Sequence, residues 1–438
     1  MSRTWWISPY SQIILVALMC FCTVGIFNVM LSIGSNGLDS TLGNTSTVAV
    51  NTLFIFSGLL GGSVVNLLGP RLSLGISSLG YCFYAVSFYI YHKTGAWWPI
   101  ILGGCILGLC AGVLWSAQGQ IMLSYPTEGQ KGLYVSIFWM IFNLGSVLGG
   151  FIPFGLNYDN KEAGVTPVTY LGLGAVMLFG SSISFLLAPI QDVIKDDGRP
   201  VLIHRYKSVG REAAAVFSMI KDWKMLCLLP LFLSSNWFYS YQFQVFNAEV
   251  FAIRTRSLNT VFYWFAQMVG ALFLGKFLDN TRLNRSRKGL YAMIFIFVTS
   301  TCIWAGGLAF QLSYSIENNP YKTTKIDFTS KEWGPLLILY ILYGVMDSMI
   351  QTLAYWVLGS LDNDPLVLSR YAGFYKAVQS GGAAISWGIT TTDTPYLTQL
   401  LICWGIFEFS IPGLFLVIRS IRDTNVEYSY EHHNHTKL

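Results

Sequence analysis

The residues whose chemistry most needs explaining are an acid, an amide and a base lying inside otherwise apolar runs. Asp347 sits mid-run in Tyr343-Gly-Val-Met-Asp347-Ser-Met-Ile-Gln351. Gln351 follows at i+4, so on a helix both project from one face. Lys376 occupies a second run, with Gln379 three residues on. An ionisable group at the bilayer centre costs about 3 kcal/mol or more, so it faces protein or a watery cavity. At a helical rise of 1.5 Å per residue, Lys376 falls ~14 Å and Asp347 ~17 Å from the same membrane edge. Matching depths predict that the two pair. The pair reads either as a cation or proton site that breaks on binding, or as a permanent bridge between helices.

A second set is neutral. Trp115 and Gln118 share a helix face at i, i+3, with Asn28, Asn143, Asn236 and Gln242 at comparable depth on other runs. Amides and rings suit a ligand held by hydrogen bonds and ring faces. Any one of these amides by itself reads more readily as a bond between helices, but as a set they favour a site. Glu408, midway along the last run, either turns to a neighbouring helix or marks a contact with another protein. No nucleophile–base pair, metal-ligand cluster, phosphate loop or cofactor signature accompanies these residues, so neither an enzyme nor a resident cofactor or metal is expected. His432, His433 and His435 read as part of a polar tail.

The elements that position these groups follow from composition. The 438 residues are 53% hydrophobic and only 11% charged, against about 25% charged in a soluble domain. That balance excludes a soluble globule, a disordered chain and a nucleic-acid-binding domain, and leaves a polytopic all-α membrane protein. Twelve stretches are long enough to span a bilayer: about 12–34, 47–68, 72–92, 98–123, 132–156, 167–188, 225–249, 258–278, 289–313, 334–358, 367–389 and 396–418. The long basic segment 189–224 divides them into six and six, and could hold a short amphipathic helix around Glu212–Ser218. The expected organisation is a half over 1–188, a central loop over 189–224, a second half over 225–420 and a tail over 421–438. All eight cysteines lie in apolar runs and read as small buried hydrophobes.

Of the 27 Lys and Arg residues, nineteen fall on the side of the termini and seven on the other, which predicts that both termini are cytoplasmic. Asn44-Thr-Ser46 is then a glycosylation sequon in the first outer loop, while those at Asn284 and Asn434 stay on the silent side. Asp39 and Glu249 read as solvated outer helix ends. Whether the membrane is the plasma membrane or an internal one is not decided.

The halves look duplicated. Gly62-x-x-x-Asn66 with Arg71 after the second span matches Gly275-x-x-x-Asp279 with Arg282 after the eighth. The fourth and tenth spans share Gly-Val-x-x-Ser (Gly112–Ser116, Gly344–Ser348). The fifth and eleventh share amide-x-Gly (Asn143/Gly145, Gln379/Gly381). Six plus six spans, the central loop and the Gly-x-x-x-Asn/Asp loop resemble the major facilitator superfamily. More narrowly, Trp115-Ser-Ala-Gln118-Gly119, Gly25-Ile-Phe-Asn28, Ser235-Asn236-Trp237-Phe238-Tyr239 and Arg370-Tyr-Ala-Gly373 resemble the fungal branch of the UNC-93-like family.

The resemblance implies a pseudo-symmetric bundle whose first, fourth, seventh and tenth spans line a central cavity. Gly62, Asn66, Arg71, Gly275, Asp279 and Arg282 would form the inner gating loops, with Asn66 lacking the family's charge. It also implies a secondary transporter of a small solute or ion, built around Asn28, Trp115, Gln118, Asn236, Gln242, Asp347 and Lys376. The alternative is a transporter-like regulator of a membrane-protein partner, with Glu408, Arg254 and Arg256 at the interface.

Overall fold

In the computed structural model, residues 3–32, 40–156, 158, 167–201 and 209–425 are described. Asp39, Lys161, Arg205, Lys207, Asn434, Lys437 and the three tail histidines lie outside them. Twelve long helical segments follow in order: α1 Pro9–Ser32, α2 Ser40–Leu68, α3 Pro70–Thr94, α4 Trp98–Ser124, α5 Lys131–Leu156, α6 Pro167–Ile183, α7 from Trp223 to Ala248, α8 Ile253–Leu278, α9 Arg285–Gln311, α10 Trp333–Leu361, α11 Pro365–Ile389 and α12 Tyr396–Ser420. A short helix, Val209–Ile220, joins the halves and rests on α2, with Val216 and Met219 buried.

Among the described residues, nine of these helices are long and apolar enough to cross a membrane. The other three have local reasons for falling short. α6 has seventeen residues, α7 is broken at 235–237, and α11 carries Arg370, Lys376 and Gln379. The bundle turns large apolar side chains outward, among them Phe56, Ile76, Phe179, Phe273 and Phe409, as a surface facing lipid requires. The chain is an integral, multi-pass membrane protein with a pseudo-symmetric six-plus-six bundle.

The repeats occupy equivalent places. A Cβ on Gly112 of α4 would collide with the α2 backbone at Gly58, and one on Gly344 of α10 with the α8 carbonyl of Tyr263. Small residues let these backbones approach. The fifth–eleventh match shifts by one residue. Gly145 lies against the Phe21 carbonyl of α1, and its counterpart against the Leu233 carbonyl of α7 is Gly382. Gly381 meets only the side chain of Ile55.

Both first helices of the halves are irregular. α1 widens into a π-helical turn over Phe21–Gly25, where Ser146 of α5 donates to the Gly25 carbonyl at 3.0 Å. α7 runs Trp223–Ser234 with Pro230 inside it, breaks, and resumes as Phe238–Ser240 and a π-helical stretch Tyr241–Ala248. Ser386 of α11 caps the freed Trp237 carbonyl at 2.5 Å. Such wide turns in otherwise regular helices concentrate at functional sites.

Candidate functional site

A cavity of about 80 Å³ lies between the halves. Asn28 (α1), Asn51 (α2), Trp115 (α4), Trp139 (α5), Asn236 and Tyr239 (α7), Trp264 (α8), Gln351 (α10) and Lys376 and Gln379 (α11) all line it. With Tyr81 of α3 also in the lining, nine helices contribute, not only the first, fourth, seventh and tenth. Six residues singled out in the sequence meet here: Asn28, Trp115, Asn236, Gln351, Lys376 and Gln379.

Lys376 is buried in the wall. Its ammonium lies 4.2 Å from the Trp115 ring centroid, with the Tyr375 and Tyr355 rings at 5.1 and 5.4 Å, a cation–π seat. It donates to Gln379 Oε1 at 2.7 Å and to Gln351 Oε1 at 3.3 Å. Gln379 is itself fixed, donating to Ser235 Oγ at the α7 break (2.8 Å).

Asp347 stands one residue deeper than the wall. The direct pairing with Lys376 expected from matching depths is not made. Gln351 comes between them, donating from Nε2 to Asp347 Oδ1 at 2.7 Å while its Oε1 accepts from Lys376. Oδ2 of Asp347 accepts from Tyr239 (2.8 Å), Tyr263 (3.1 Å) and Gln267 (2.5 Å). The i, i+4 spacing that put Gln351 on the face of Asp347 also places its amide in the path to Lys376. The result is a chain, Asp347–Gln351–Lys376, joining α10 to α11 and ending at the cavity.

Three amides expected in the lining stand behind it. Asn143 donates to Gln267 (3.3 Å), tying α5 to the Asp347 cluster. Gln242 accepts from Tyr263 (2.9 Å). Gln118 donates to Met122 Sδ (3.2 Å) and accepts from Tyr355 (3.4 Å). These are interhelical or local bonds. Sequence reasoning does not single out Tyr239, Tyr263 or Gln267. Tyr239 follows Asn236 in the same motif, and the Tyr263/Gln267 pair at i, i+4 on α8 is the signal that could have found the other two.

On the face that carries the chain ends, the halves meet in two matching seams. Asn66, ending α2, accepts from Ser369 Oγ (2.9 Å) and donates to the Leu366 carbonyl (3.3 Å) at the start of α11. Asp279, ending α8, accepts from the Gly132 and Leu133 amides at 2.9 and 2.5 Å at the start of α5, capping that helix. Gly62 and Gly275 permit this. A Cβ on Gly62 would lie 2.7 Å from Arg370 Cα, and one on Gly275 would lie 2.5 Å from the Gly132 carbonyl. Burial pushes the Asp279 carboxyl up to about 6, against the pull of the two amides and of Lys288.

The bases of the two loop motifs do not join the seams. Arg71 is half-exposed and donates to the Phe185 carbonyl of its own half (2.5 Å), and Arg282 is exposed. Arg285, which opens α9, bridges the halves instead, pairing with Glu128 at 3.3 Å. Glu128 also accepts from Asn363 (2.6 Å), Thr424 (3.0 Å) and the Asn425 amide (2.9 Å). Burial raises this carboxyl, but Asn363, Arg285 and the Asn425 and Thr424 donors outweigh it and hold it below the usual range. Lys131 closes the same seam, donating to the Gly359 carbonyl (2.5 Å) and to Asn363 (3.0 Å).

Two other expectations are corrected, and Glu408 turns to a neighbouring helix, the first of its two readings. Asn44, expected in the first outer loop, is buried within α2 and accepts from Gln244 at 2.8 Å. Glu408 accepts from Thr301 of α9 and from Trp404, both at 2.9 Å, so it ties α12 to α9. Arg254 and Arg256 lie in the first turn of α8 rather than in a loop, and Arg254 holds Asp327 with two bonds of 2.8 and 2.6 Å. A base is unfavourable at a helix start, and the Asp327 carboxylate offsets it.

The bundle, its two seams and the central cavity define a protein of the major facilitator type. Its fold matches the E. coli fucose:proton symporter FucP with a TM-score of 0.62 at 11% identity, covering 95% of this chain and 99% of that one. It matches the proton:xylose symporter XylE of that superfamily with a TM-score of 0.61 at 12% identity, covering 93% and 95%.

The chain belongs to the UNC-93 family, whose model, described as "Ion channel regulatory protein UNC-93", matches residues 34–408. UNC93-like protein 1 of Arabidopsis thaliana is 42% identical over 94% of this chain and 90% of its own length. UNC93-like protein C922.05c of Schizosaccharomyces pombe is 39% identical over 91% and 80%.

Proposed function

We propose that the protein is a secondary transporter that carries a small solute by alternating access. The observation that carries this reading is the cavity between the halves, into which the Asp347–Gln351–Lys376 chain opens. A solute that takes bonds from Lys376 or Gln351 alters the hydrogen bonding of Asp347, and through Tyr263 and Gln267 that of α8. α8 ends in the Asp279 seam, so binding at the midplane and closure at one face act on the same helix. With the basic face cytoplasmic, as the Lys and Arg bias indicates, the seams of Asn66, Asp279 and Glu128 form the inner gate.

The family's description favours a second reading, regulation of a membrane-protein partner. The residues reserved for that interface are bonded within the chain: Arg254 to Asp327, and Glu408 to Thr301 and Trp404. They give that reading no support.

The test is thermal unfolding of the purified protein against a panel of solutes and ions, for wild type and Asp347→Asn in parallel. A solute at 100 times its dissociation constant stabilises by about 2.7 kcal/mol. Stabilisation of wild type that is weakened in Asp347→Asn is the expected result. No stabilisation by any solute, with both proteins folded, would overturn the transporter reading.

A further inference from the structure

If the cavity carries a solute, as the transporter reading has it and as this inference requires, its wall bears on the solute's class. Lys376 is the only charged side chain among the lining residues. The ion pairs among the described residues join Arg199 to Asp197, Arg254 to Asp327, Arg285 to Glu128 and Lys325 to Glu249, and none involves Lys376. What seats its ammonium is neutral: ring faces and the two amide oxygens of Gln379 and Gln351. An ammonium has three donors, so one remains beyond those two bonds. On the same wall, Asn236 Oδ1 is a buried acceptor with no hydrogen-bond partner. The rest is largely apolar, with Phe27 and Phe54 among its rings.

From this juxtaposition we propose that the cavity binds a small monocarboxylate that also carries a hydrogen-bond donor. The carboxylate bonds Lys376, the donor reaches Asn236, and a short apolar body lies against the rings. A cation would be repelled by Lys376. A dianion would bring a second charge with no partner into a desolvated site, which is costly. A volume of about 80 Å³ restricts the ligand to a few heavy atoms. No covalent step is involved. The arriving carboxylate takes the remaining donor of Lys376, whose ammonium also bonds Gln351 and through it Asp347, and this links the site to the Asp347–Gln351–Lys376 chain.

The experiment is calorimetric titration of the purified protein with lactate, acetate, chloride, glucose and tetramethylammonium. Lactate should bind, acetate more weakly for want of a donor, and the other three not measurably. Lys376→Met should weaken lactate at least about 30-fold, as loss of one partner of a buried charge pair does. Asn236→Ala should weaken lactate about 5- to 10-fold and leave acetate unchanged, and it tests the proposal even if Lys376→Met does not fold. Lactate affinity unchanged in folded Lys376→Met, or chloride binding as tightly as lactate, would overturn the proposal. Binding of glucose or tetramethylammonium in place of lactate would overturn it and leave the transporter reading standing. A protein that bound none of the five and no other solute would lose both.

Discussion

Asn66 and Asp279 end α2 and α8 at matching positions, and each reaches across to the first turn of a helix in the other half. Asn66 does so as an amide that both gives and accepts, while Asp279 does so as an acid that accepts two backbone amides. What the two seams share is close approach, enforced by Gly62 against Arg370 and by Gly275 against Gly132. What differs is charge. The neutral seam is indifferent to pH, while the acidic one contains a buried carboxyl pushed up to about 6. Backbone geometry therefore carries the pseudo-symmetry, and the electrostatics of each seam are free to diverge.

The equivalence of the seams is challenged most forcefully at the glycines. Gly62→Leu and Gly275→Leu should each destabilise the protein by about 1–3 kcal/mol through overpacking, read as a lower unfolding midpoint in detergent. Tolerance of one and not the other would mean that the seams are not equivalent.

Next come the caps. Asn66→Ala and Asp279→Ala should each cost about 1–2 kcal/mol, the scale of a lost helix cap or buried hydrogen bond. Because the bonds described for the two residues go to different partners, the double variant should lose the sum.

The difference in charge shows in pH dependence. Asp279 has a folded-state value of about 6, above its ordinary 3.8. Its contribution is therefore full below about pH 4 and is lost as pH rises through 6. Glu128, held below its ordinary 4.5, acts in the opposite sense as pH falls beneath that value. Between pH 4.5 and 6 Asp279 contributes a slope of falling stability with rising pH. Asp279→Asn should flatten unfolding midpoints across that window, and Asn66→Asp should steepen them.

The smallest effect is expected from the loop bases. Arg71→Ala and Arg282→Ala should each change stability by less than about 0.5 kcal/mol, as substitutions away from buried partners do.

The twelve spans were legible because hydropathy over some twenty residues is a strong signal. α6, α7 and α11 were found as well, since an apolar run survives a break or a buried lysine. Lys376, Gln351 and Trp115 were legible for the complementary reason, being polar or amphipathic groups where lipid tolerates few. Three things were not legible. Depth along a helix does not reveal rotation about its axis, so Asp347 and Lys376 were paired directly although Gln351 stands between them. Helices weighed one at a time concealed Tyr263 and Gln267, whose role depends on a carboxylate of another helix. The Glu128 cluster draws on Arg285, Asn363, Thr424 and Asn425, which lie far apart in the chain and follow no periodic pattern.

Alternating access is tested most directly by spin-label distances across the two faces in reconstituted membranes. One pair, at Gly129 and Arg282, spans the face of the seams; the other, at Lys93 and Lys331, spans the opposite face. Lowering the pH from 7.5 to 5 protonates Asp279 and favours its closed seam. Alternating access predicts two distances for each pair, with the short one gaining on the seam face as the long one gains on the other. A single, unchanged distance on both faces would contradict it.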